Sequence, residues 1–271
     1  YQIKKINSDT APSFQITRLG IVSRDYSCIF RNGKRDFSFY MRDVLNALDN
    51  EKCDSVMFAL YSVIQCKEFS VLEVLNSIEL RYIKSVLIEE FIEEYVEEKV
   101  NKPRKATRFV IYFFNNENWS EYEFNQKFGT TTGLPRNVIC DFVNIEIPKR
   151  IIGNSCVLLC GETNIVKYHP KCDKKVHDDF GLLNQIPDSV NVILNPIHDR
   201  MTRFEMKLKR AFLSKNNRIV ISVWNRGRKD KNGNTRDGDK AAWTIFKNET
   251  LMDISSLPNK FGLEIGIVDC N

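Results

Sequence analysis

A layered α/β domain is what this 271-residue sequence predicts, on three observations. Short apolar runs with little polar alternation recur, as SVMFAL at 55–60, VLLC at 157–160, VILNP at 192–196 and RIVISV at 218–223. Between them lie segments whose apolar residues repeat at three- and four-residue steps. Strands of the first kind are buried on both faces, so helices of the second kind must cover them. The composition, 42% hydrophobic and 28% charged, is that of an ordinary globular chain and fits one domain over 1–271 better than two small ones.

Taken in order, residues 1–15 are polar and irregular. A first strand is expected over Ile16–Val22 and a turn at Asn32-Gly33. Phe37, Tyr40, Met41, Val44, Leu45 and Leu48 have helical spacing, which predicts a helix with one face on a core. Ser55–Leu60 is a buried strand. Leu72, Leu75, Ile78, Tyr82, Val86, Ile92 and Val96 predict a long helix over 71–99 with a solvated glutamate-rich face, stopped by Asn101-Lys102-Pro103. Strands follow over Phe109–Phe114, Trp119–Phe128 and Val138–Ile147, with Gly129–Pro135 as a loop. The strand at 156–160 breaks at Gly161. Residues 167–181 read as a polar loop near it. Val190–Leu194 is a strand, and Arg200–Leu213 a helix resting on Phe204, Leu208 and Phe212 with a basic outer face. A strand over Arg218–Val223, a charged loop over 226–240 and strands near 243–246, 251 and 263–268 finish the chain.

Charge and cysteine usage narrow the function classes. The net charge of +5 is too small to imply nucleic acid by itself. Locally, residues 199–240 carry 13 Lys and Arg against 5 Asp and Glu, and residues 89–98 carry six Glu. Eight cysteines at scattered spacings, with no CxxC pair, suit a reducing cytoplasmic protein without a disulfide framework. No apolar run reaches the ~18 residues of a membrane span, and no secretory leader is visible. Because the chain starts at Tyr1, it reads as a fragment or processed form.

The chemistry centres on Cys160. A strand cysteine is usually a packing residue, but this one ends its strand, and Glu162 follows two residues later. A free thiol with a pKa of ~8.5 needs a base or a positive neighbour to react at neutral pH. Lys127 supplies a positive charge within reach of the same sheet region. Asn195, His198 and Trp224, near the ends of the two later strands, are candidate binding residues. His198-Asp199-Arg200 can be read as a charge relay, although a turn before a helix explains Asp199 equally well. Cys160, His169, Cys172 and His177 have a zinc-compatible composition but match no compact spacing, so neither a metal nor another cofactor is expected.

In the order of its motifs the chain resembles the nitrilase, or carbon–nitrogen hydrolase, superfamily over about residues 16–270. VLLCGETN at 157–164 resembles the family's cysteine motif. LNP at 194–196, Arg210-Ala211 and VISVWNRG at 220–227 resemble the elements that follow it, and GLEIGIVD at 262–269 resembles its last strand. The resemblance implies an α-β-β-α sandwich of two packed sheets with helices outside. It also implies hydrolysis of an amide or nitrile through Cys160, with Lys127 stabilising the developing charge, and self-association of subunits.

One position departs from the pattern. The family's general base is the glutamate of a Pro-Glu pair, and Ala59-Leu60 stand there. Leu60 takes no proton, and loss of a general base costs roughly 10²–10⁴-fold in rate. Glu162 and Glu68 are the carboxylates nearest in sequence that could substitute. The alternative is a module that keeps the fold without turnover and serves binding or assembly within a larger protein; nitrilase-like modules occur fused to other domains, including reverse transcriptases of bacterial antiviral systems. A second alternative is a nucleic-acid-associated domain using residues 199–240 with Trp224 and Trp243.

Overall fold

The computed structural model describes residues 11–24, 38–65, 69–92, 107–198, 204–227, 232–233, 241–260 and 262–271. The Asn32-Gly33 turn, Glu68, the acidic positions 93–98, the helix stop at 101–103, residues 199–203 and most of the charged loop, including Asp237-Gly238, lie outside them.

Two mixed sheets carry the architecture. The first contains β1 (Arg18–Arg24), β2 (Ser55–Phe58), β3 (Val63–Gln65), β4 (Ser85–Ile92), β5 (Thr107–Asn115) and β6 (Asn118–Phe124). Its order runs β15-β16-β1-β2-β4-β5-β6, where β15 is Ser255–Lys260 and β16 is Leu263–Asp269, and β3 pairs with β4. The second contains β7 (Ile151–Ile152), β8 (Ser155–Val157), β11 (Val192–Pro196), β12 (Ile219–Val223), β13 (Trp243–Lys247) and β14 (Thr250–Met252), in the order β14-β13-β12-β11-β8-β7. Between β8 and β11, Lys167–Tyr168 (β9) and Val176–His177 (β10) form a small antiparallel hairpin within the expected polar loop.

Period-two alternation explains the layers. Val56, Val86, Val110 and Tyr112 point away from the second sheet and pack on Val44, Leu45 and Leu48 of helix α1 (Met41–Asn50) and on Val71 and Leu75 of helix α2 (Val71–Ser77). Their alternates Met57, Leu87 and Ile111, with Ile21, face Val157, Leu194, Ile221 and Ile245 across the seam between the sheets. On the far side of the second sheet, Cys156, Ile193, Val220 and Phe246 pack with Ile139, Phe142, Leu182 and Leu213 from helical segments. The result is helix, sheet, sheet, helix: the α-β-β-α sandwich that the resemblance implied.

Three segments differ from expectation. In its described part, 71–92, the expected long helix over 71–99 is instead α2, a connection and β4. Ile78 and Tyr82 fall in the connection, and their four-residue steps, close to a helical turn, lead into Val86 of the strand, where Val86 and Ile88 face one core and Leu87 the other. Consequently Glu89 and Glu90 are not a solvated face but are 4% and 0% exposed. The expected strand over Val138–Ile147 is helical, with Ile139, Phe142, Val143 and Ile147 turned inward. In the helix Phe204–Leu213 the buried face is Met206, Lys209, Arg210 and Leu213, while Phe204 is exposed. The same three- and four-residue steps describe both faces of that helix, so spacing alone could not choose between them.

Candidate functional site

Parallel pairing of β8 with β11, in the register Val157↔Leu194, brings the segments that leave these strands out at one edge of the second sheet. One segment carries Cys160 and the other His198. β8 ends at Val157; Leu158 and Leu159 continue buried, and Cys160 opens a short 3-10 helix, Cys160–Ile165. The Cys160 backbone has φ +24, a conformation that L residues rarely adopt and that surrounding structure must enforce.

The enforcing group is Glu162. Its carboxylate accepts the Leu159 N–H at 2.8 Å and the Lys127 N–H at 2.9 Å. It also pairs with Arg150, at 3.1 Å to one oxygen and 3.4 Å to the other. Glu162 and Arg150 are both fully buried. Burial pushes the Glu162 carboxyl above its ordinary value, against the opposing pull of Arg150 and the two N–H donors. With both oxygens hydrogen-bonded, Glu162 clamps loop 125–127 to the cysteine turn. Arg150 extends the clamp by donating to the Asn125 carbonyl at 2.9 Å and lying 4.0 Å from the Phe124 ring centre.

Asn195 and Trp224 are also structural in placement. Asn195 is buried, donates to the Leu158 carbonyl at 2.6 Å and accepts from Ser222 at 3.1 Å, which fixes the approach to Cys160. Trp224 is buried beneath Arg210, whose guanidinium carbon lies 5.7 Å from the ring centre. Neither reaches the cavity as a ligand contact. Arg210 is itself fully buried, donates to Thr244 at 3.0 Å, and has its pKa pushed down to about 10 by burial, with Cys160 pulling the other way. It therefore places a positive charge within electrostatic reach of the thiol.

His198 is drawn into a different set. Its Nε2 lies 3.0 and 3.3 Å from the two oxygens of Glu89, and its ring stacks on Tyr61 with 3.8 Å between centres. Tyr61, at φ +62, donates its own N–H to Glu89 at 2.8 Å. Burial lowers the imidazole's pKa, but Glu89 and a side-chain hydrogen bond with Cys160 overcome this and raise it to about 9. The ring is thus charged at neutral pH, beside a thiol.

Tyr61, Glu89 and His198 border a cavity of about 380 Å³ whose walls also include Phe109, Lys127 and Phe128, with Cys160 just outside its lining. Lys127 lies beyond the end of β6, in the loop that Glu162 clamps, and its ammonium pairs with Glu146 at 3.2 Å. Leu60 is buried in the core between the sheets and presents no polar atom from its side chain. The loop histidines stay apart from Cys160: His169 meets Asp179 at 3.5 Å and His177 meets Asp173 at 2.7 Å. Among the described residues, no group of three or more His, Cys, Asp and Glu side chains is arranged to hold a metal.

Glu89 is the residue that sequence reasoning missed. Its signal was a Glu-Glu pair directly following the apolar run Val86-Leu87-Ile88, which is costly in a strand unless both carboxylates are paired.

No protein-family model matches the chain, and no curated protein does. Among solved structures it is similar to a mutant amidase of the nitrilase superfamily from Nesterenkonia, at 9% identity over 96% of this chain and 93% of that one, with a TM-score of 0.45. It is also similar to a second mutant of a Nesterenkonia amidase, carrying the acetamide moiety of fluoroacetamide on its active-site cysteine, at 10% identity over 96% and 93%, TM-score 0.43. A carbon–nitrogen hydrolase from Helicobacter pylori is similar at 11% identity over 94% and 89%, TM-score 0.41. None of these likenesses decides the chemistry, which rests on the residues of this chain.

Proposed function

We propose that the chain is a cysteine-nucleophile hydrolase of the nitrilase type that cleaves the carbon–nitrogen bond of a small amide or nitrile. The observation that carries this reading is the setting of Cys160: a strained φ of +24, locked by the buried Glu162–Arg150 clamp, against a charged histidine on the wall of a cavity. Such strain is kept where it holds a reacting atom in place. A cavity near 380 Å³ lies at the small end of ligand sites and suits a compact substrate.

In this reading the Cys160 sulfur attacks the carbonyl or nitrile carbon and forms an acyl- or imidoyl-enzyme, which water then clears. Lys127, on the cavity wall, and Arg210, behind the thiol, supply positive charge as negative charge develops. The aromatic wall of Phe109 and Phe128 takes the substrate's apolar part.

The test is covalent labelling joined to turnover. Full-length protein is incubated with acetamide, benzamide, acetonitrile and benzonitrile; ammonia is assayed and Cys160 is examined by mass spectrometry. Expected are ammonia release and an acyl mass on Cys160, both abolished by Cys160→Ala. The buried thiols of Cys53, Cys156 and Cys270, each pushed up to about 12 by burial, serve as internal controls. Absence of ammonia, together with a Cys160 no more reactive than these three, overturns the proposal.

A second reading, a non-hydrolytic binding or assembly module, is favoured by one observation. Leu60 fills the position where the resemblance puts the general base, and its side chain is sealed in the core. That reading predicts normal folding and partner binding in Cys160→Ala.

A further inference from the structure

We propose that His198 and Glu89 form the acid–base pair of Cys160, supplying the proton transfer that Leu60 cannot; this rests on the reading of Cys160 as a nucleophile. The geometry points to it from three sides. Parallel β8 and β11 deliver Cys160 and His198 to the same sheet edge. β4, in the other sheet, delivers Glu89, so the pair closes the seam between the sheets at the cavity. Tyr61 fixes both partners, its ring against the imidazole and its N–H on the carboxylate.

The charged groups acting on the imidazole are Glu89 from β4 and Cys160 from the turn after β8; Arg210 from the helix Phe204–Leu213 acts on the same thiol from behind. On the far wall, Lys127 is matched by Glu146. His198 is therefore the titrating group set between a fixed carboxylate and the nucleophile. Glu89 acts on the nucleophile through the imidazole that it holds, which makes it a positioning residue.

For an amide the steps balance as follows. In the starting pair the thiol's proton already lies on His198, so the sulfur attacks as thiolate: the S–C bond forms, and the carbonyl π pair moves to oxygen. Collapse restores the carbonyl and breaks C–N, and the His198 proton leaves with the nitrogen as ammonia. Water then attacks the thioester and gives a proton to His198. The C–S bond breaks with its electron pair going to sulfur, and His198 keeps that proton, as at the start. The sum is amide plus water to carboxylic acid plus ammonia, with no other reactant.

The test measures the pH dependence of iodoacetamide alkylation at Cys160, followed by peptide mass spectrometry in the full chain, for the unaltered protein, His198→Gln and Glu89→Gln. Alkylation of the unaltered protein is expected to set in at lower pH than in either variant. His198→Gln should move the inflection up by at least about one pH unit and slow alkylation at pH 7 about tenfold or more. Glu89→Gln should shift it the same way by less. Imidazole NMR titration of folded Cys160→Ala gives a second readout, in which the His198 pKa is expected to fall. An alkylation profile and an imidazole pKa that both ignore these substitutions overturn the pairing. If His198→Gln shifts the profile while no amide or nitrile is ever turned over, the pairing stands and the hydrolase reading falls. If ammonia release is equal in the unaltered protein and His198→Gln, the hydrolase reading stands and the pairing falls.

Discussion

His198 Nε2 sits 3.0 Å from Glu89 Oε2, joining β4 of one sheet to the segment that leaves β11 of the other. The contact is mostly screened from water, with side-chain exposures of 12% and 6%. It therefore joins the folded state's stability to pH. His198 has a pKa near 6.5 when unfolded and about 9 when folded. A histidine whose pKa rises on folding stabilises the fold fully below the unfolded value, and that stabilisation is lost as pH rises through the folded value. Melting temperature is accordingly expected to fall between pH 7 and 9.5, by an amount corresponding to up to ~3 kcal/mol. His198→Gln should flatten that part of the curve. An unchanged slope would show that the ring does not carry this charge.

The neighbouring carboxylate makes a separate prediction. Glu90 is fully buried, accepts from Tyr112 and pairs with Arg108 at 3.0 Å, and Arg108 also meets Glu121 at 3.4 Å and Glu123 at 2.6 Å. Burial first and Glu90 second raise the Tyr112 pKa, so the phenol stays protonated as a donor. Arg108→Met strands Glu90 and Glu121 without their cation, at an expected cost of ~3–5 kcal/mol. Adding Glu90→Gln should recover part of that loss. Urea unfolding of the single and double variants measures both steps.

How much of this was legible beforehand depends on the range of each interaction. The strands Ser55–Phe58, Val192–Pro196 and Ile219–Val223 announce themselves as apolar runs, and Cys160 announces itself by the break after one of them. Their layered arrangement follows from burial on both faces. β4 was hidden because the helical steps Leu75, Ile78, Tyr82 run through the connection straight into its Val86. With β4 read as a helix, Glu89 became a solvated charge, and its partner 109 positions away could not be guessed. Glu162 stood out as a carboxylate close to the cysteine. Its role as a clamp depends on Arg150 and on two backbone N–H groups whose positions only the tertiary fold determines.

That clamp should be intolerant of change. Glu162→Ala removes the acceptor for the Leu159 and Lys127 N–H groups and leaves Arg150 charged in a dry site. The expected loss is ~3–5 kcal/mol. Arg150→Met alone should cost a similar amount, because it leaves Glu162 buried without its cation. The double variant Arg150→Met with Glu162→Gln should cost less than the sum of Arg150→Met and Glu162→Gln made singly, since neither charge is then left alone. Additive losses in a thermal-melt cycle would show that the two residues act independently.

Gly161 offers the sharpest link between packing and reactivity. A Cβ there would lie 2.0 Å from the Gly129 carbonyl oxygen and 2.3 Å from its carbon, so the backbone of one segment must move. Gly129 lines the cavity, and Gly161 adjoins the nucleophile, which makes their contact the joint between the two. Gly161→Ala is expected to cost ~1–3 kcal/mol, as forced overpacking does, and to slow alkylation of Cys160 by changing its strained turn. Gly133 is the control. Unlike Gly161 it has a positive φ, +77, but a Cβ there meets nothing within 4 Å, so Gly133→Ala should cost only the local backbone strain and leave Cys160 unaffected. Equal alkylation rates in the two variants would mean that the turn at Cys160 does not depend on its contact with the cavity rim.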